Sequence, residues 1–200
     1  SLYSYDSGWA ELPNETGILG IWDGQENDDY IAPDEYWQGE DALNVTRSIL
    51  KNNPTIKYSM WSWCGELSDW SATEVQNYLD AIDTLQKEFP NVTFIYMTSH
   101  AQATGAEGWN RYQRNKQIRN WIKNHPDKNR VLFDFADIES WHNGEQNTTS
   151  HDSNTYPFQH SYFYAADGSA QEYEWTHSTK ENSLNKGKAF WWMIARLEGW

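Results

Sequence analysis

A single cysteine, Cys64, stands in 200 residues. That excludes an internal disulfide and leaves an odd thiol, which is unusual on a secreted chain. Positive charge is also scarce: 15 Lys and Arg face 29 Asp and Glu, for a formal net charge of −14. Such a chain repels phosphate backbones and anionic lipid, which argues against nucleic acid as a partner. The acidic surplus serves solubility, or attracts cations such as calcium, whose ligands are carboxylate oxygens. No run of about 18 apolar residues occurs, so no segment is expected to span a membrane. The histidines lack metal-site spacing such as H-x-x-x-H, and neither a metal nor another cofactor is expected. The chain opens on Ser1 rather than on methionine and carries no signal peptide, and so reads as processed or trimmed.

Aromatic residues, by contrast, are abundant, with 13 Trp and 12 Tyr. Tryptophan is seldom buried completely, so some of these rings are expected to line a groove or an interface. Sugars stack on such rings, which makes a polysaccharide or glycan one expected partner and self-association another. N-x-S/T sequons stand at Asn14, Asn44, Asn91 and Asn147, favouring export and glycosylation. An extracellular or cell-surface location is therefore expected.

The length fits one domain with a real core. From residue 41 onward, helix and strand signals alternate. "EDALNVTRSILKNNP" sets Ala42, Val45 and Ile49 at helical spacing and stops at Pro54. "TIKYSMWSW" reads as a strand. "SATEVQNYLDAIDTLQKEFP" opens on a Ser71/Glu74 capping box and carries the apolar stripe Val75, Tyr78, Leu79, Ile82, Leu85 and Phe89. "NVTFIYMTSH" is a strand apolar on both faces. "EGWNRYQRNKQIRNWIKNHP" is a helix facing inward through Tyr112, Ile118, Trp121 and Ile122. "RVLFDFADIES" reads as a third strand. "NKGKAFWWMIARLEGW" is a closing helix with Phe190, Met193, Ile194 and Leu197 inward. The order predicts a three-layer α/β/α sandwich on a mainly parallel sheet, with right-handed crossovers. Residues 1–40 read as a turn-rich arm, with "GILGIWDG" as a short strand, and residues 139–183 as a long aperiodic loop.

Ligands of open parallel sheets bind beyond the carboxyl ends of the strands. Three such ends are legible: Trp61 to Glu66, Thr98 to His100, and Asp134 to Glu139. The long loop adds His142, His151, His160 and His177. His100 reads either as a proton carrier or as a histidine that bonds a neighbouring loop. Asp137 and Glu139, two apart on an extended strand, face together and suit glycoside chemistry or a cation site, although Glu139 reads equally as a loop anchor. Cys64 reads as a buried, inert thiol. Strand alternation sets Trp61 and Trp63 on one face and Ser62 and Cys64 on the other.

The segments "YSMWSWCGEL", "VTFIYMTSH", "RNKQIRNW", "VLFDFADIESW" and "NKGKAFWWMIARLEGW" resemble a secreted bacterial and archaeal branch of the SGNH/GDSL hydrolase-like proteins, over about residues 42–200. The resemblance implies a flavodoxin-like fold and ester hydrolysis, often deacylation of polysaccharides. It implies a serine nucleophile, a catalytic His and a carboxylate three residues before it. His177 stands at the histidine position, with Glu174 three residues earlier where the family has Asp. "WSWCG" stands at the Gly-x-Asn block of the oxyanion hole without its Asn, the family's opening Gly-Asp-Ser block has no clear counterpart, and Ser62 is a substitute nucleophile only if the geometry has moved. "YDSGW" offers Ser7, with no apolar strand evident before it. On this reading Ser62, His177, Glu174, His100 and Asp137 are the catalytic candidates, and Trp61, Trp63 and Trp141 bind substrate. The expected function is an exported esterase acting on acylated glycans. The alternatives are a carbohydrate-binding module on the same fold, or a structural sheath or filament subunit.

Overall fold

The computed structural model describes residues 3–6, 16–22, 31–126, 130–163 and 179–200. It is a mixed helix-and-strand structure that divides into two compact units, Ser1–Asn52 and Asn53–Trp200.

In the first unit, β1 (Tyr3–Asp6) and β2 (Leu19–Trp22) pair in parallel. A strand thus does precede Ser7, which itself lies outside the described residues. α1 (Pro33–Tyr36) is a single turn, opened by a proline whose missing N–H costs a first helical position nothing. α2 (Glu40–Asn52) ends just short of Pro54, as expected where the residue before proline leaves the helical region. Its buried row is Ala42, Thr46 and Leu50, while Val45 is 41% exposed. The predicted face is therefore rotated by a residue. Thr46 can be buried because its hydroxyl donates to the Tyr36 carbonyl at 2.7 Å.

The second unit carries a parallel sheet of three strands, β3 (Tyr58–Met60), β4 (Thr93–Met97) and β5 (Arg130–Phe133), in the order β3-β4-β5. β4 lies between the other two, so it is apolar on both faces, with Phe94, Ile95, Tyr96 and Met97 all buried. α3 (Ala72–Glu88) joins β3 to β4. Its capping box forms as predicted: Glu74 N–H donates to Ser71 Oγ at 3.3 Å, and the Glu74 carboxylate accepts from Ser71 N–H at 2.7 Å. Its stripe of Val75, Tyr78, Leu79, Ile82 and Leu85 is buried, and Phe89 terminates the helix.

α4 (Gly105–Asn124) joins β4 to β5, and its buried row is Gly108, Arg111, Asn115 and Ile118. Of the predicted inward face only Ile118 is buried. The spacing is helical, but two of the four residues are polar.

Beyond β5 the chain does not stay extended. Asp134 accepts from Asp137 N–H at 3.3 Å and caps a short helix, α5 (Phe135–Ser140). The aperiodic stretch then resolves into two hairpins. β6 (Trp141–His142) pairs with β7 (Glu145–Gln146) across Asn143-Gly144, and β8 (Thr148–His151) pairs with β9 (Asn154–Pro157) across Asp152-Ser153. All four turn residues have positive φ, from 46° to 84°, as the tightest hairpin turns require. A 3₁₀ turn at Ser161–Phe163 follows, and α6 (Lys180–Leu197) closes the chain, with Met193 and Ile194 buried. No helix among the described residues is long and apolar enough to cross a membrane.

Candidate functional site

The three carboxyl strand ends do converge, and hydrogen bonds lock each to the next. Ser99 Oγ, after β4, donates to the Cys64 carbonyl, after β3, at 2.8 Å. Thr98 Oγ1 donates to Asp134 Oδ1, after β5, at 2.9 Å and accepts from Ala136 N–H at 3.0 Å. Asp134 is in turn gripped bidentately by Arg119, at 2.6 and 2.7 Å. Burial works against the Arg119 charge, but the bond and charge of Asp134, with Asp137 and Tyr112, together outweigh it and raise its pKa.

Helix α4 supplies the floor of this edge. Asn115 clasps Ser99 as a neighbouring strand would, accepting from its N–H at 2.9 Å and donating to its carbonyl at 3.1 Å. Asn110 Nδ2 lies within 3.0 Å of the Leu67, Ser68 and Trp70 carbonyls and holds the loop after β3. Arg111 spends one edge of its guanidinium on Ser68 Oγ, at 3.1 Å from Nε and 2.5 Å from Nη2. The other edge meets His100 Nδ1, at 2.6 Å from Nη1, and the Gly65 carbonyl, at 3.4 Å from Nη2. Arginine has no acceptor, so the histidine nitrogen it meets is unprotonated. Burial lowers the Arg111 pKa, against an opposing pull from Cys64, Glu107, Glu139 and Glu66.

Glu139 is only 1% exposed. Its carboxylate accepts from Ala101 N–H at 2.7 Å and from Asn182 Nδ2 at 3.3 Å, and pairs with Lys186 at 2.6 Å. Of its two readings, the structure therefore supports the loop anchor. It does not face the same way as Asp137, because both ride on a helix, where a separation of two turns side chains to opposite sides. Asp137 is exposed and accepts from Trp141 Nε1 at 3.0 Å.

The remaining expectations divide. Trp61 and Trp63 are 5% and 3% exposed. Their rings meet edge-on at 4.9 Å, and Trp63 also packs on Trp70 and Tyr78. This corrects the sugar-stacking expectation for both residues, since neither ring face is open. Trp141, 42% exposed, keeps an accessible ring. Ser62 and Cys64 are exposed, on the face opposite the two tryptophans as alternation required, so Cys64 is not the buried thiol expected. Ser62 Oγ lies 3.5 Å from the Trp63 carbonyl. His100 is half-buried against Arg111, and the structure does not join it to Asp137. His177 and Glu174 lie outside the described residues, as does Asn14. Asn91 is exposed in the turn before β4, and Asn44 is exposed on α2. Asn147 is half-buried, with Nδ2 donating to the Gln159 carbonyl at 2.8 Å.

Sequence reasoning missed Arg111 and Asn115, which organise the edge. One signal was there to be used: the helix has no continuous apolar stripe, so polar side chains had to supply part of its buried row. Among the described residues, no cluster of three or more His, Cys, Asp or Glu is placed to hold a metal ion. Comparison of the chain with models of protein families gives no match, and neither does comparison with curated proteins.

Proposed function

We propose that this protein is an exported SGNH-like hydrolase that removes acyl groups from glycans, working at the carboxyl edge of the β3-β4-β5 sheet. The observation that carries the reading is the convergence of all three strand ends there, with the Ser62 hydroxyl exposed among them.

The side-chain directions favour a flavodoxin-like sandwich for the second unit. Tyr96 meets Tyr78 of α3 with ring centroids 6.0 Å apart, and Arg130 pairs with Asp83 of α3. Phe133, of opposite parity on β5, meets Phe190 of α6 at 6.3 Å. Parity on a pleated sheet separates its two faces, and these contacts support an arrangement with α3 and α6 on opposite sides.

In the proposed reaction Ser62 Oγ attacks the ester carbonyl, and His177, oriented by Glu174, takes its proton. As the bond between the acyl carbon and the sugar oxygen breaks, His177 gives the proton to that oxygen, which leaves as a hydroxyl. Water repeats the cycle on the acyl-enzyme and releases the acid. Trp141, beside Asp137, offers a ring for a sugar face. The test is release of acetate from acetylated polysaccharides and of p-nitrophenol from its acetate ester. Substitution His177→Ala is expected to lower turnover by about a thousandfold or more, the scale of losing a triad member.

A second reading is favoured by Trp192 and Trp200, 68% and 87% exposed. Large exposed rings suit assembly, as in a cell-surface sheath or filament subunit. Electron microscopy and light scattering of concentrated protein test it. Filaments without ester turnover would support it over the enzyme.

A further inference from the structure

Attachment of an oligosaccharide to a folded chain asks for three things at an N-x-S/T sequon. The asparagine amide must have no other task, the hydroxyl two residues on must be within reach, and the backbone must present both to one side. The sequons of this chain meet these needs unequally. Asn91 stands exposed in the turn between α3 and β4, and among the described residues nothing bonds its side chain. Burial alternates along its sequon: Val92, 7% exposed, points inward, while Asn91 is exposed and Thr93 half-buried. Hydrogen bonds pin the backbone in this arrangement. Val92 N–H donates to the Phe89 carbonyl at 3.0 Å, and Thr93 N–H to the Lys57 carbonyl at 2.8 Å. Gln86 Nε2 donates to the Val92 carbonyl at 3.2 Å.

Asn147 has the opposite parity. Thr148 is exposed, whereas Asn147 and Thr149 are half-buried. The Asn147 amide is spent on the Gln159 carbonyl at 2.8 Å, and its backbone is held on both sides, by the Ser140 carbonyl at 2.9 Å and by Phe158 N–H at 3.0 Å. Asn44 lies within α2, where residues two apart point to opposite sides. Its partner Thr46 is 2% exposed and has its hydroxyl spent on the Tyr36 carbonyl.

We infer that Asn91 is the sequon that the folded protein presents for N-glycosylation, and that Asn44 and Asn147 are withheld. In the transfer, Asn91 Nδ2 attacks the anomeric carbon of an oligosaccharide carried on a lipid phosphate. The bond from that carbon to the phosphate oxygen breaks, the lipid phosphate leaves, and Nδ2 gives one proton to a base of the transferase. The inference rests on the exported reading, since export is where such donors are met. It also fixes where the glycan stands. Asn91 lies at the amino end of β4, and the five residues of that strand, at about 3.3 Å each, hold it roughly 16 Å from the carboxyl edge. A glycan there leaves the Ser62 side of the sheet uncovered.

The test is glycosylation of the purified, folded full chain in vitro, by a single-subunit oligosaccharyltransferase that needs only N-x-S/T, with its lipid-linked donor. Glycopeptide mass spectrometry follows each sequon, and synthetic peptides of the same sequons serve as the unfolded reference. Asn91 of the folded chain is expected to react at least about tenfold faster than Asn44 or Asn147, the scale of opening a hydrogen-bonded segment first. The peptides are expected to lack that order. Asn91→Gln should remove most of the glycan from the folded chain, and Asn147→Gln should remove little. If either variant fails to fold, mapping of the unaltered protein decides alone. No glycan on Asn91 of the folded chain, Asn44 or Asn147 reacting as fast as Asn91, or the same order in the peptides would overturn the inference. Ester turnover is scored separately. Transfer to Asn91 without ester turnover leaves this inference standing and the hydrolase not. Turnover without transfer to Asn91 does the reverse.

Discussion

Tyr58 donates to Glu198 at 2.7 Å, and Lys57 reaches the same carboxylate at 3.1 Å, tying the end of α6 to the first strand of the sheet. Burial, then the bond and the charge of Glu198, push the Tyr58 phenol up to about 12. Glu198 moves the opposite way, held below the usual carboxylate range chiefly by the bond from Tyr58 and then by Lys57. The raised phenol stabilises the fold fully below its ordinary value of about 10, and that contribution fades as pH climbs through about 12. The lowered carboxylate contributes above the ordinary glutamate value and is lost as pH falls through its depressed one. A spectrophotometric titration of the chain's 12 tyrosines is expected to show one that ionises near 12 and disappears in Tyr58→Phe. Ionisation of Tyr58 at the ordinary tyrosine value of about 10 would mean the contact does not form in solution. Gly108 belongs to this scale too. A Cβ there would collide with the Ala103 carbonyl and the Tyr156 hydroxyl. Gly108→Ala is expected to cost at least about 1–3 kcal/mol in urea denaturation, as overpacking does.

At the scale of elements, the legible parts were those where an apolar pattern does the burying. The cap of α3 and its stripe from Val75 to Leu85 could be read because both are local signals, whereas the buried Gln86 and the place of Phe89 past the helix could not. β4 was legible as a run apolar on both faces. α4 was legible as a helix but not in its buried row, because Arg111 and Asn115 are buried by hydrogen bonds to other segments, which no local pattern encodes. For the same reason Thr46 displaced Val45 on α2. The turn from strand into helix at Asp134 was obscured by the apolar run through Phe135 and Ala136, although an aspartate three residues before a second acid is a capping signal. The Asn143-Gly144 pair was a readable hairpin signal, hidden by flanking strands of only two residues.

The anchor at Glu139 makes the element-scale prediction. It joins α5, the loop after β4 and α6 through one buried carboxylate, while Lys186 lies over the Phe135 ring at 3.9 Å. Glu139→Gln strands the Lys186 charge and is expected to destabilise by about 3 kcal/mol or more in urea denaturation. Adding Lys186→Met should restore part of that loss, since the stranded charge is then gone. A double variant as unstable as the sum of the two single ones would show that the pair is not coupled.

For the molecule as a whole, alternation of helix and strand signals foretold the parallel sheet of the second unit and the convergence of its strand ends, because connection order largely fixes which ends meet. It did not foretell the pairing of β1 with β2 inside a stretch that reads as turns. It also overstated the aromatic lining of the edge, since Trp61 and Trp63 fill core space that a chain with so many rings must fill somehow. Among the described residues there, Ser62 and Cys64 are exposed, and Trp141 keeps an accessible ring. The central claim is that this edge hydrolyses acyl esters on glycans. Acetate release from acetylated polysaccharide by the purified protein, beside Ser62→Ala and His177→Ala of verified fold, tests it most directly. The account predicts release by the unaltered protein and a fall of about a thousandfold or more in each variant. No release by the folded, unaltered protein, or release undiminished in both variants, would contradict it.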